Sequence, residues 1–297
     1  MDITEPGPAP VARWADLLSG RNGVRSLALA GGVALHAVNV YIATTILPSV
    51  VRDIGGLDYY AWNTTLFVVA SILGSATSAR LLGAAGPRGA YVAAAALFAL
   101  GTLTCAAAPS MPVLLGGRIV QGLGGGFLFA LSYAMIRLVF AEGLWPRAMA
   151  LVSGMWGVAT LVGPAVGGVF AELDAWRGAF WSLLPVVALF AFLALAVLPR
   201  RSGDSNDRTA TPTTQLVLLT AAVLAVSAGS VSNVLAWNFA GIVAALIAAG
   251  ALIVVEAKAR HRLLPRGAFR LGAPLGALYA TMALLAVAVT STEIFVP

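Results

Sequence analysis

An arginine in the middle of an apolar run has the strongest chemical claim in this chain. In Leu114-Leu-Gly-Gly-Arg-Ile-Val-Gln-Gly-Leu-Gly-Gly-Gly126, Arg118 lies within residues 112–138, a stretch long enough to cross a bilayer. A guanidinium at that depth is costly even after snorkelling, so it marks a candidate functional site. Two roles fit it: a structural cation that satisfies carbonyls at a helix junction, or a charge at work in a polar cavity. The cost of a central charge favours the second. Gln121 stands three residues on, and Gly122 shares the arginine's helix face. Gly122 with Gly126 makes a small-residue surface that admits a neighbouring helix closely. The following run offers a matching surface, since Gly154, Gly157, Gly163, Gly167 and Gly168 surround Pro164, whose ring removes a backbone donor and kinks a helix. On the first run, His36 and Asn39 share a face one turn apart: the imidazole can titrate, or simply pack, whereas the amide can bind but not titrate. Of the twelve Asp and Glu residues, only Glu293 falls inside an expected span, and Glu256 closes the eighth run at the membrane surface. Arg118 therefore lacks an evident acidic partner in the first six spans.

These residues need apolar helices to hold them. The chain is 60% hydrophobic and 10% charged, with a mean hydropathy of +0.91, against about 25% charge in ordinary soluble domains. The fold class is all-α, a polytopic membrane helical bundle. Runs of roughly 20 apolar residues occur near 27–50, 62–83, 90–108, 112–138, 148–171 and 178–198, then near 216–234 and 237–256, with a ninth from about Gly272. With the amino terminus inside, fifteen of the eighteen Lys and Arg residues fall on cytoplasmic segments, and only Arg52 and Arg177 fall outside. The positive-inside rule therefore sets the orientation. Residues 1–25 read as a cytoplasmic tail that touches the membrane surface through Trp14, Leu17 and Leu18.

Composition also excludes. One cysteine, Cys105, can form neither an intrachain disulfide nor a thiolate metal site, and reads as a packed small residue. The basic residues are dispersed among loops, so the pI near 10 implies no nucleic-acid partner. There is no glycine-rich phosphate loop, no zinc helix and no nucleophile elbow, so no enzyme and no cofactor is expected. Trp62, Asn63 and Thr64 open the second run and Trp176, Arg177, Phe180 and Trp181 the sixth, where aromatics anchor at the interface. Tyr133, Met135 and Met155 read as packing rather than ligand contacts.

Arg118-x-x-Gln121-Gly122-x-Gly124 resembles the fourth-helix motif of the major facilitator superfamily, and Gly154-x-x-Gly157 with Gly163-Pro164-x-x-Gly167-Gly168 resembles the fifth-helix motif of its drug:proton antiporters. The resemblance covers nearly the whole chain. It implies a proton-coupling role for Arg118 and control of alternating access by the glycine-proline helix. Asn39 stands where fourteen-helix members often carry an aspartate. Arg80, Gly86 and Arg88 stand as remnants of the gate motif between helices two and three, with Gly83 in place of its aspartate.

The resemblance further implies a small-molecule substrate, protons, a plasma-membrane location and two six-helix halves around a midplane site. Under it, 26–199 is the amino-terminal six-helix transport bundle, 200–215 a cytoplasmic linker and 216–256 a two-helix hairpin. Residues 257–271 form a basic cytoplasmic loop and 272–297 the first helix of an incomplete second half, which a partner supplies in cis or trans. In a twelve-helix member the hairpin would instead open that second half. The first bundle alone is expected to offer one wall of a cavity, with Arg118, Gln121, Asn39, Thr44 and Thr45 satisfying one another only in part.

Overall fold

The structure is a computed structural model that describes residues 13–200, 213–230, 235–259 and 274–295. The described residues are helical almost throughout: α1 (Trp14–Leu18), α2 (Gly20–Ile54), α3 (Tyr60–Ala106), α4 (Met111–Val139), α5 (Trp145–Glu172), α6 (Trp176–Val197), α7 (Thr213–Ser230), α8 (Leu235–Lys258) and α9 (Pro274–Phe295). The linker and basic-loop expectations fall largely on residues outside the described set.

Two expected spans, 62–83 and 90–108, run together in α3. At 1.5 Å per residue its 47 residues would extend about 70 Å, more than twice a hydrocarbon core of about 30 Å. The chain turns back at Gly86, whose φ of 68° and ψ of 172° lie where a side chain is strained, and Pro87 follows. Residues 60–85 and 87–106 are thus two arms, and with α2, α4, α5 and α6 they make a six-span bundle.

The helices also start earlier than the apolar runs. The 35 residues of α2 begin at Gly20, ahead of the apolar run from residue 27. Leu17 is buried in the core rather than laid on a membrane surface, whereas Trp14 and Leu18 are exposed. Ser26 Oγ donates to the Leu17 carbonyl at 3.1 Å, which fixes α1 against the start of α2.

The core has two centres. Toward one end, Leu29, Val33, Tyr91, Phe98, Leu131 and Met135 pack together. Toward the other, Ile42, Ile46, Cys105, Met111, Leu114 and Phe180 do so. Both arms of α3 lie against α4, because α4 presents glycine on two faces. A Cβ at Gly122 would strike the Phe67 carbonyl and one at Gly126 the Ser71 carbonyl, while one at Gly124 would strike the Phe98 amide of the second arm. Where apolar lipid gives no hydrophobic drive for helix association, such backbone contact provides the packing.

The matching surface expected on the next helix is not the partner of Gly122 and Gly126, which pack on the first arm of α3. On α5 the glycines divide. Gly163 lies on Tyr41 and the Val38 carbonyl, and Gly167 lies on Thr45, so both face α2. A Cβ at Gly154, Gly157 or Gly168 would meet nothing within 4 Å. Pro164 lies inside α5, which continues helical through it.

Helix ends are tied by arginines. Arg25 donates to the Val139 carbonyl at 2.9 Å at the end of α4. Arg88 donates through Nε to the Leu198 carbonyl at 3.1 Å and through its amide to the Pro199 carbonyl at 3.2 Å, at the end of α6. Carbonyls at a helix carboxyl terminus lack intrahelical donors and carry partial negative charge, so a guanidinium suits them. Of the remnant gate motif, Gly86 therefore makes the turn and Arg88 joins α3 to α6, while Arg80 is exposed. At the opposite end Arg177 pairs with Asp53 at 2.5 Å and donates to the Ala108 carbonyl at 2.9 Å, and Trp176 Nε1 reaches Asp53 at 3.0 Å. This joins α2, α3 and α6.

Candidate functional site

Arg118 is about 10 Å along α4 from its start and is 1% exposed. Its surroundings follow from the close approach that Gly122 permits. Phe67, on the first arm of α3, lies with its ring centroid 4.1 Å below the guanidinium carbon. The Asn63 carbonyl accepts from Nε at 3.4 Å, and Gln121 Oε1 accepts from a terminal guanidinium nitrogen at 2.6 Å. Gln121 Nε2 in turn donates to Thr102 Oγ1 at 2.8 Å, and Thr102 donates to the Phe98 carbonyl at 2.7 Å. The guanidinium is thus held by an amide oxygen, a carbonyl and a π face, with no carboxylate. The ion pairs seen among the described residues, Arg177 with Asp53 and Arg52 with Asp174 at 4.0 Å, both involve residues at helix ends.

The expected polar group forms only in part. Arg118 and Gln121 do bond. Thr44 and Thr45 instead donate to Val40 and Tyr41 of their own helix, at 2.9 and 2.8 Å. The amide of Asn39, fully buried, has no hydrogen-bond partner among the described residues, nor does Asn63 Nδ2. Asn63, near the start of α3, is 1% exposed. Its part, with those of Thr102 and Phe67, was hidden in the sequence, because nothing local connects residues 63, 67 and 102 to 118.

His36 connects this cluster to a cavity. Its ring stacks on Phe67 at 5.4 Å, on the face of α2 toward α3 and α4. Phe129 and Trp156 lie 5.6 and 6.0 Å from it. Gly125 makes room, since a Cβ there would come within 2.8 Å of His36 Nδ1, and that nitrogen has no partner among the described residues. Phe67 therefore touches both the guanidinium and the imidazole through its ring.

The cavity that His36 lines has a volume of about 630 Å³. Its other walls are Ser71, Ile72, Ser75 and Ala76 of α3, with Phe129 and Trp156. Leu216 and Leu219 of α7 and Leu252 and Glu256 of α8 supply the far wall, opposite the one the six-span bundle provides. Glu256, two residues from the end of α8, is 3% exposed and adds a carboxyl group to the lining. Thr65 and Ser227 share a hydroxyl hydrogen bond of 2.8 Å that ties α7 to α3. Among the described residues no group of His, Cys, Asp or Glu could hold a metal ion. Among the described residues, six segments are long and apolar enough to cross a membrane, one of them spanning both arms of α3.

Comparison with known proteins gives a consistent picture. The family model described as Major Facilitator Superfamily matches residues 29–296. A probable multidrug-efflux transporter of Mycobacterium tuberculosis is 40% identical over 290 residues, covering 96% of this chain and 61% of the relative. The multidrug transporter protein MdtP of Bacillus subtilis is 28% identical over 258 residues, covering 84% of this chain and 48% of the relative. The chain thus spans about 61% or less of these relatives' length. Among solved structures, a D-xylose-proton symporter superposes with a TM-score of 0.56 at 16% identity, covering 80% of this chain and 70% of that one. The inward-open xylose transporter XylE of E. coli gives 0.53 at 16% identity, with 90% and 64% covered.

Proposed function

This chain belongs to the Major Facilitator Superfamily, and from that premise we propose that it forms the amino-terminal bundle and adjoining hairpin of a proton-coupled exporter of small amphipathic compounds. The family is one of multi-pass membrane transporters, not enzymes. Export is supported by the relatives described as multidrug-efflux transporters. The observation that carries the reading is the adjacency of two features: a buried guanidinium without a carboxylate partner, and an apolar cavity lined by His36, whose ring stacks on the same Phe67 that the guanidinium covers.

In this reading residues 26–199 rock against a second bundle, as alternating access requires. The amino terminus is cytoplasmic, in the plasma membrane, because fifteen basic residues then lie inside. Arg118 supplies fixed positive charge. A proton or substrate arriving nearby changes the local charge and biases one state over the other, as a ligand with differential affinity must. Gly163 and Gly167 let α5 ride on α2. Neither Asn39 nor Gly83 can titrate, and this favours a second reading in which the same fold works as a uniporter or symporter.

The test is accumulation of a fluorescent amphipathic compound in energised cells. Joined to the carboxyl-terminal helices of the 40%-identical mycobacterial relative, the chain is expected to lower steady-state accumulation, and a protonophore to abolish the difference. Lowered accumulation that survives the protonophore would remove proton coupling; no lowering at all would remove export.

A further inference from the structure

Arg118 shares its level in the bundle with two buried amides that have no partner. Linked by short turns, α2, the two arms of α3 and α4 alternate in direction. His36 of α2 stacks on Phe67 of α3, and the Phe67 carbonyl lies against Gly122 of α4. From that level Asn39, Asn63 and Arg118 each stand three or four residues away toward the same end of the bundle, one helical turn or about 5 Å. All three are at most 1% exposed. Asn63 Nδ2 and both polar atoms of the Asn39 amide lack hydrogen-bond partners among the described residues. α2 and α3 come close backbone to backbone at few positions, unlike α3 and α4, so side chains take up the space between them.

The guanidinium is held by Gln121 Oε1, the Asn63 carbonyl and the Phe67 ring. These dipoles solvate the cation and leave its charge uncompensated. A full charge withdrawn from water is costly without a counter-charge, and so is each buried amide without a partner. A water at this level would satisfy the amides, but only an anion also answers the charge. With one guanidinium to balance, a monovalent anion fits, whereas sulfate or phosphate would carry excess negative charge into an apolar surround.

We propose that Arg118, Asn39 and Asn63 form a binding site for one chloride ion, which supplies the counter-charge that no acidic side chain brings to this level of the bundle. The guanidinium and the two amide Nδ2 groups donate to the ion, and Asn39 Oδ1 accepts from a water that completes its hydration. The inference goes beyond the export reading and does not rest on it, because anion binding requires neither transport nor proton coupling.

The experiment brings the 297-residue chain in nanodiscs to dialysis equilibrium with radiolabelled chloride, with gluconate holding the ionic strength constant and empty nanodiscs as the blank. Saturable binding of one ion per chain is expected, displaced by bromide and not by sulfate. Cys105, the single cysteine, is buried against Leu114 and Gly117 beside the site, so its labelling by a maleimide dye on heating reports unfolding there. The labelling midpoint is expected to lie about 3 °C or more higher in saturating chloride than in gluconate, as a ligand that binds only the folded state requires. Asn39→Asp builds in a carboxylate at the same level. It is expected to weaken chloride by at least about tenfold and to remove the chloride-dependent shift, through repulsion of like charges. No saturable chloride binding by the wild-type protein would leave water alone among these groups and overturn the proposal. Equal displacement by sulfate, equal midpoints in chloride and gluconate, or wild-type chloride affinity in a folded Asn39→Asp protein would each overturn it as well.

Discussion

Arg118→Ala is expected to lower export by at least about tenfold at equal surface expression, the largest effect of any single substitution in the bundle. The reason is what the guanidinium leaves behind. Gln121 Oε1 and the Asn63 carbonyl each lose a charged donor, and the Phe67 ring loses the cation above it. Each buried acceptor left without a partner costs about 1–3 kcal/mol. Arg118→Lys separates charge from shape: the ammonium keeps the positive charge but cannot bond Asn63 and Gln121 at once through a planar fork. Partial export by Arg118→Lys with none by Arg118→Ala is expected if fixed charge drives the bias. Wild-type accumulation by a well-expressed Arg118→Ala protein would reduce the residue to a structural role.

The second large effect concerns α5. Gly163→Leu or Gly167→Leu must displace Tyr41 or Thr45 and the backbone of α2. The gap at Gly167 is already only 2.8 Å from an ideal Cβ to Thr45 Cβ. Overpacking costs about 1–3 kcal/mol even in tolerant cores, and here it opposes the sliding of two helices. Export is expected to fall by about tenfold or more, with thermal stability lowered. Gly154→Leu and Gly157→Leu are the contrast, since nothing lies within 4 Å of a Cβ at either, and the stability of this chain is expected to stay near wild type. Equal stability and export across all four variants would show that Gly163 and Gly167 only tolerate their positions.

That contrast shows where sequence reading stops. Spacing alone put Gly163 and Gly167 together with Gly154, Gly157 and Gly168, because a small-residue pattern reports a helix that can be approached but not by what. Which glycine meets a partner depends on the placement of α2, a long-range matter. Arg118, Gln121 and Gly122 were legible because three- and four-residue spacing fixes a helix face locally. The break between the runs 62–83 and 90–108 was legible in the hydropathy, whereas the reversal at Gly86 followed by Pro87 is seen only in the structure. Asn63 and Thr102 were not, since each meets the arginine's network only after both arms of α3 have packed on α4. The burial of Glu256 was not legible, because an apolar window locates the end of a span and says nothing of what packs over it. His36 was named from the sequence, but its contact with Phe67 and its place in the cavity lining are properties of the assembled bundle.

The most direct measurement of the central claim is proton movement that accompanies substrate. Proteoliposomes would hold this chain joined to the carboxyl-terminal helices of its 40%-identical mycobacterial relative, with a pH-sensitive dye inside. Adding the fluorescent amphipathic compound without any imposed gradient is expected to change the internal pH in proportion to saturable uptake, through substrate-for-proton exchange. Arg118→Ala is expected to abolish the change. Saturable uptake with no change in internal pH, in wild-type protein and with the vesicles proton-tight, would contradict the account.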